Sequence, residues 1–382
     1  MSGFDAAALR GAVRAELPAA GALRRELHAR PHPSGQEGPT LETVLGALPD
    51  GAVTRVADTG ALVRFGGDGP AVGMRAELDA LPIAERTGAA WASRGPAMHA
   101  CGHDVHMAAL VAVCRALSEI GPPVPVLAVL QPREETYPSG ARDIVASGLL
   151  DGALRAMVGA HVQPALPPGT IACTPGAVNA AADEFTVTMR GPGGHAAYPH
   201  LTSDPVLALA QFVVGAQQIA GRDADPMVPA VVTVGTLRAG EAPNAIPGTA
   251  AARGTLRAMS GPQRDLLRRR LREVATGVAA IHGCTADVEV TEGEPVLVND
   301  ADLAAGAARA LSAYGRRVDA ASRSCGADDF AYYTAAAPAL MMFAGTGGDA
   351  ALHSPAFLPG DDALAAVADA LLAGYLAAAG RA

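Results

Sequence analysis

The sequence predicts a two-domain α/β protein in which one domain is interrupted by the other. Three observations carry this reading. Short apolar strands alternate with longer amphipathic segments over the first half of the chain. Between residues 179 and 290 the pattern changes to strand, helix, strand, strand, helix, strand, the ferredoxin-like α+β order. The side chains best suited to chemistry, Cys101, His103, Glu134, Glu135, His161 and His353, lie on both sides of that stretch and never inside it. The expected division is 1–178 with 291–382 as one domain, and 179–290 as an insert.

Taken in order, residues 5–29 carry apolar side chains at helical spacing and read as an amphipathic helix. Segments 60–65 and 70–74 read as strands around a Gly66-Gly67-Asp68-Gly69 turn. Segment 104–120 reads as a helix, with Asp104 where the helix dipole favours an acid. Segment 124–130 is a short β-rich run ending at Gln131-Pro132. It sets Glu134 and Glu135 just past the carboxyl end of a buried strand, the edge where open α/β sheets hold ligands. Segment 157–162 has the same character, with His161 near its end. In the insert, 184–189 alternates as a strand, 204–220 is helical and 230–238 and 249–258 read as paired strands. A long helix over 262–282 and a strand over 284–290 close it.

At 382 residues, half of them hydrophobic, the chain can bury the cores of two domains. A net charge of −9 and a pI near 5.6 argue against a general nucleic-acid surface. Arg264, Arg268, Arg269, Arg270 and Arg272 read instead as the solvated face of one helix. The apolar tail 364–379 is mostly alanine and contains Asp369, so it is not read as a membrane span. The N-terminus shows no basic head before an apolar core, so no secretory signal is expected. Cys101, Cys114, Cys173, Cys284 and Cys325 are irregularly spaced and suggest no disulfide framework. A cytoplasmic, reducing setting is expected, one that keeps Cys101 available as thiolate.

The segment Met98-His99-Ala100-Cys101-Gly102-His103-Asp104-Val105-His106-Met107 crowds a thiol and three imidazoles ahead of a helix. Cys101 and His103 flank a glycine, so both can turn toward one point. Thiolate sulfur and neutral imidazole nitrogen suit borderline-soft divalent metals. A Cys-x-His pair alone is a common coincidence. Further candidates follow at long spacing, which suits a catalytic site assembled by a fold rather than a compact zinc clip. Cys114, Cys173 and Cys284 read as core thiols. His99 and His106 read as supporting or surface imidazoles outside the ligand set, and His282 as a favourable charge at a helix end.

In their wording these segments resemble the M20 family of metallo-amidohydrolases and peptidases. The nearest branch holds hippurate hydrolases, N-acyl-amino-acid amidohydrolases and auxin-conjugate hydrolases. The resemblance is carried in order by Leu23-Arg24-Arg25-Glu26-Leu27-His28, Arg75-Ala76-Glu77-Leu78-Asp79-Ala80-Leu81-Pro82 and the Cys-Gly-His-Asp segment. Gln131-Pro132-Arg133-Glu134-Glu135, Gly193-Gly194-His195-Ala196-Ala197 and Asn244-Ala245-Ile246-Pro247 continue it. Gly254-Thr255-Leu256-Arg257 and Leu352-His353-Ser354-Pro355 complete a set that spans nearly the whole chain.

The resemblance implies a dinuclear catalytic domain whose two divalent metal ions (zinc, manganese, cobalt or nickel) are held by Cys101, His103, Glu135, His161 and His353. Glu134 would be the general base. Asp79 would orient the site by accepting a hydrogen bond from a ligand imidazole. The insert would be a lid that also mediates dimerisation. From it His195 would reach the active site of the partner in a homodimer and stabilise the tetrahedral oxyanion. Asn244 would serve as a fixed amide donor and Arg257 as partner of a substrate carboxylate, although Arg257 reads nearly as well as a structural ion pair. The implied reaction is hydrolysis of the amide of an N-acyl amino acid or related conjugate, a small-molecule substrate, with no nucleic-acid or membrane partner. A dipeptidase or aminoacylase of the same fold, or a catalytically silent binding relative, are the alternatives. Three departures from the family wording bear on substrate identity: Glu77 where the branch has aspartate, Cys325 and Asp328 where it has serine and glutamate, and Arg133 where a small residue precedes the glutamates.

Overall fold

Strands Ala71–Glu77 and Val126–Gln131 are buried along their whole length, and Leu154–Gln163 over most of it, as parallel strands covered on both faces must be. They form the centre of an eight-stranded sheet in the computed structural model, which describes residues 6–381. The spatial order is Ala52–Val56, Gly60–Phe65, Val126–Gln131, Ala71–Glu77, Leu154–Gln163, Ala339–Gly345, Thr170–Ala172 and Arg317–Asp319. The four central strands run parallel, with Glu77 opposite Gln131 and Phe343 opposite His161. Their carboxyl ends therefore share one edge of the sheet. This sheet belongs to the larger of two compact units, which runs to Gly176 and resumes at Val298–Ser322 and from Asp329 onward.

Helices Ala6–Ala29, His103–Ile120, Ala301–Ala313 and Asp361–Ala379 supply the apolar faces that close this core. The first occupies the helix expected at 5–29; Asp5 lies outside the described residues. The last is long and apolar enough, by length and composition, to cross a membrane, and it is mostly buried within the unit. Its Asp369 receives Arg10 and Arg316 at 2.8–3.0 Å. The helix Gly38–Ala47, the helix Ala301–Ala313 and the strand Ala339–Gly345 had no counterpart in the sequence reading.

The second unit covers Ala177–Leu297 with Arg323–Asp328. Four antiparallel strands lie in the order Ala230–Ala239, Thr249–Ala258, Ala181–Arg190, Thr285–Glu292. Helices Pro205–Gln218 and Gly261–Ile281 pack over one face through Leu209, Phe212, Leu267 and Leu271. Both start cleanly. Asp204 accepts the Val206 and Leu207 N–H groups ahead of Pro205, and Ser260 accepts that of Gln263 ahead of Pro262. The arginines expected on one solvated face are divided. Arg264 and Arg268 both grip the buried Asp183, at 2.6–3.0 Å, while Arg270 pairs with Asp223. A charge buried in that strand needs partners, and the helix provides them.

Candidate metal centre

Gly102 sets up the centre. It adopts φ 84°, and a Cβ there would come within 2.5 Å of Val162 Cγ2. Only glycine meets both demands. The turn lets Cys101 and His103, on either side of it, face the same point. Cys101 Sγ lies 3.4 Å from His161 Nε2. His161 stands near the carboxyl end of its strand and donates from Nδ1 to the Val162 carbonyl at 2.6 Å, which leaves Nε2 as the free lone pair. His103 donates from Nδ1 to the Asp79 carbonyl at 2.8 Å.

Ligand-type atoms of Cys101, His103 and Glu135 lie within 4.8 Å of one another. His353 Nε2 approaches Glu135 Oε1 at 3.3 Å. All five expected ligands thus meet in the larger unit. His353 is held at φ 65°, a left-handed conformation that costs a residue with a Cβ roughly 1–2 kcal/mol. Its N–H donates to the Ala100 carbonyl at 2.9 Å, tying it to the Cys101 turn. Glu134 is partly exposed at the rim, with Oε2 3.9 Å from His103 Nε2.

Asp79 plays a different part from the one expected. Its backbone carbonyl, not its carboxylate, accepts from His103; the carboxylate oxygen Oδ1 is 3.7 Å from that ring. Oδ2 instead accepts the Ser34 hydroxyl at 2.7 Å and the Glu135 N–H at 3.0 Å. The side chain therefore fixes the backbone of Glu135. The Asp79 carboxylate is itself fully buried, so these bonds carry its geometry.

The donor set fits divalent cations. Buried His103 Nε2 has no hydrogen-bond partner among the described residues. An orphaned buried nitrogen beside a thiol, a carboxylate and a second imidazole is the mixed S/N/O arrangement that zinc-like ions take. Burial, then Glu135, Glu134 and Glu77, push the Cys101 thiol well up. Burial works against charge on Glu135 too, but His353 and His103 hold its carboxyl below the usual range. The low-pKa thiolate expected of Cys101 therefore needs a cation beside it.

Sequence reasoning left open whether His106 supports the site or lies on the surface, and it did not foresee the polar layer behind this centre. His106 and Glu77 are fully buried, with His106 Nδ1 2.9 Å from Glu77 Oε2. Burial raises the Glu77 carboxyl, yet Arg75 and His106 bring it well below the carboxylate range. Arg75 binds Glu77, Gln131 Oε1 at 2.9 Å and Asp329 Oδ1 at 2.6 Å; Gln131 and Tyr333 complete the network. The available signal was spacing, since His106 follows His103 by three on one helix and must share its face. His99 is buried too, not a surface imidazole, and burial lowers its pKa to about 3. On the far side, Asp104 takes Arg24 and His28 at 3.1 Å, and Trp91 packs edge-on to His28 with Arg24 over its ring.

Three expected site residues fall in the second unit. His195 and Asn244 meet there: Gly194–His195 pairs with Ala245–Ile246, and Ala196 N–H donates to the Asn244 carbonyl at 3.1 Å. His195 is exposed, and its Nδ1 accepts the Ala197 N–H at 3.1 Å, so Nε2 carries the proton. Arg257 stands on the four-stranded sheet, opposite Ala182 and Val231, and not on this ladder.

Residues 73–375 match the model of peptidase family M20/M25/M40. An N-acetylcysteine deacetylase of Bacillus subtilis is 34% identical over 352 residues, covering 90% of this chain and 92% of that one. An N-acetyldiaminopimelate deacetylase of Exiguobacterium sibiricum is 34% identical over 351 residues, with 90% and 94% coverage. The solved structure of the Bacillus subtilis YxeP protein, described as a dinuclear metal-binding peptidase of the M20 family, superposes with a TM-score of 0.84 at 31% identity, over 95% of this chain and 98% of that one. Sequence, fold and donor geometry agree: the chain belongs to peptidase family M20/M25/M40, and within it to the amidohydrolase branch.

Proposed function

We propose that this enzyme hydrolyses the amide bond of N-acyl amino acids, with two divalent cations held by Cys101, His103, Glu135, His161 and His353. The observation that carries the reading is the convergence of these five side chains around a buried imidazole nitrogen with no hydrogen-bond partner among the described residues. Bound there, the cations would supply Lewis acidity toward the amide carbonyl and make a water acidic. The remaining work falls to the chain. Glu134, at the rim, takes a proton from water as its oxygen attacks the carbonyl carbon. It then delivers that proton to the nitrogen as the C–N bond breaks, releasing a carboxylic acid and a free amino acid.

The insert acts in this reading as a lid and as the dimer contact. His195, with its proton on Nε2, is set to donate to the oxyanion of the tetrahedral species, in the partner subunit's site. Asn244 is positioned beside it by the short ladder, and Arg257 offers a fork for a substrate carboxylate. The names of the two deacetylases support a short acyl group. A mixed S/N/O set leaves zinc, manganese, cobalt and nickel as the metals to try. A cytoplasmic home is consistent with five free cysteines.

The test combines elemental analysis with turnover of acetyl- and benzoyl-amino acids by metal-reconstituted protein, beside a panel of dipeptides. Two ions per chain and faster cleavage of acyl amino acids than of dipeptides are expected. Faster cleavage of dipeptides would assign a dipeptidase instead, and metal binding without any cleavage a silent relative.

A further inference from the structure

We infer that Glu77 and His106 form a positioning relay that aims the free nitrogen of His161, so that metal affinity depends on two residues that do not themselves hold metal. The inference rests on the ligand reading above. Both residues are buried, Glu77 at the end of the strand Ala71–Glu77 and His106 on the first turn of the helix His103–Ile120.

The direction of each hydrogen bond follows from chemistry. Val162 N–H donates to His106 Nε2 at 3.0 Å, and a backbone N–H can only donate. Nε2 is therefore unprotonated, and the ring proton sits on Nδ1, where it is donated to Glu77 Oε2 at 2.9 Å. Both nitrogens are engaged, so His106 is no ligand, although it sits among Glu77, His103 and His161 in a cluster of metal-binding residue types. The peptide that His106 holds is the one His161 uses. His161 Nδ1 donates to the carbonyl of Val162, the residue whose N–H His106 receives, and the two rings lie 4.5 Å apart between centroids, tilted by 57°.

Arg75 completes the chain by holding the other oxygen of Glu77 and, through Asp329 and Gln131, tying it to the sheet floor. The two bonds of His106, to Glu77 and from Val162, each have one direction. Glutamate at position 77 has the reach this chain uses; aspartate, a methylene shorter, would leave His106 Nδ1 unanswered. The ring could then carry its proton on either nitrogen, and a proton on Nε2 would oppose the Val162 N–H.

The experiment titrates chelator-stripped protein with Co2+ alone, reading its absorption bands and final stoichiometry, and measures denaturant unfolding of each metal-free variant in parallel. Glu77→Asp shortens the first link. His106→Asn keeps a donor near the Nδ1 position but loses the Val162 contact. His106→Gln keeps an acceptor near Nε2. Glu77→Asp and His106→Asn are expected to weaken Co2+ binding by ~10–100-fold, the usual cost of losing a partner behind a ligand. His106→Gln should weaken it less than either. Equal effects of Asn and Gln, or affinity changes that merely follow unfolding stability, overturn the relay. Hydrogen exchange of the peptide containing Val162 gives a second measure on metal-free Glu77→Asp protein: faster exchange supports the relay, unchanged protection overturns it. His161→Ala separates the two readings. Wild-type Co2+ binding by that variant would overturn the ligand assignment itself, whereas its loss with unaffected Glu77→Asp binding would overturn only the relay.

Discussion

Two polar clusters lie along the same sheet edge of the larger unit and differ in how completely they are satisfied. Around Arg75 the contacts close on one another: Glu77, Gln131, Asp329 and Tyr333 form a bonded set. Around His103 the geometry converges without closing, and His103 Nε2 is buried with no partner among the described residues. Leaving a buried donor or acceptor unanswered costs about 1–3 kcal/mol. The first cluster is thus a scaffold that stands by itself, and the second is a set of donors arranged for something else to occupy. Closure, not burial or charge, distinguishes a support from a site.

The sharpest way to break this comparison lies in the adjacent glutamates. Glu135→Gln should lose metal, whereas Glu134→Gln should keep metal and lose hydrolysis by ~10²–10⁴-fold, the span of general acid–base catalysis. Metal analysis and kcat on the same preparations decide it, and equal metal loss in both variants would erase the distinction between ligand and base. Next in size is the scaffold. Arg75→Met leaves two buried carboxylates uncompensated and should cost about 3–5 kcal/mol in denaturant unfolding, metal present or absent. Cys101→Ser, in the open cluster, should instead leave metal-free stability near wild type and remove the rise that metal confers on the intact protein. If both substitutions behave alike, closure is the wrong criterion.

His195 provides a third environment, exposed and half-satisfied. His195→Ala should bind metal normally and lose kcat by ~10²–10³-fold, the cost of one oxyanion donor. Mixing it with Glu134→Gln should restore part of the activity through hybrid dimers that hold one intact site. Absence of rescue, with subunit exchange demonstrated, would place His195 in its own chain's site or outside catalysis.

The strands and helices that were legible carry local signals. The alternation of 184–189 and the Asp204-Pro205 and Ser260-Pro262 starts each mark an element without help from distant residues. The Cys-Gly-His turn was legible for the same reason. What escaped depends on register. Arg75 and Glu77 read as family wording, but their tie to Asp329 exists only once the strand edges are aligned. Asp79 shows a subtler limit: sequence names a carboxylate, and the fold uses its backbone oxygen toward His103 and its side chain toward Glu135. His106, taken for a supporting or surface ring, acquires its place from a strand whose Val162 N–H it receives.

One detail near the centre has an optical consequence. The chain contains a single tryptophan, and Trp91 sits edge-on to His28 at a centroid distance of 4.7 Å with the Arg24 guanidinium over its ring. His28 and Arg24 share Asp104, the residue that follows His103. Indole emission from this protein therefore originates in one place, on the floor beneath the ligand turn. It is a label already installed by the sequence, at a distance where a shift of that floor changes its surroundings and one residue's colour stands for the whole signal.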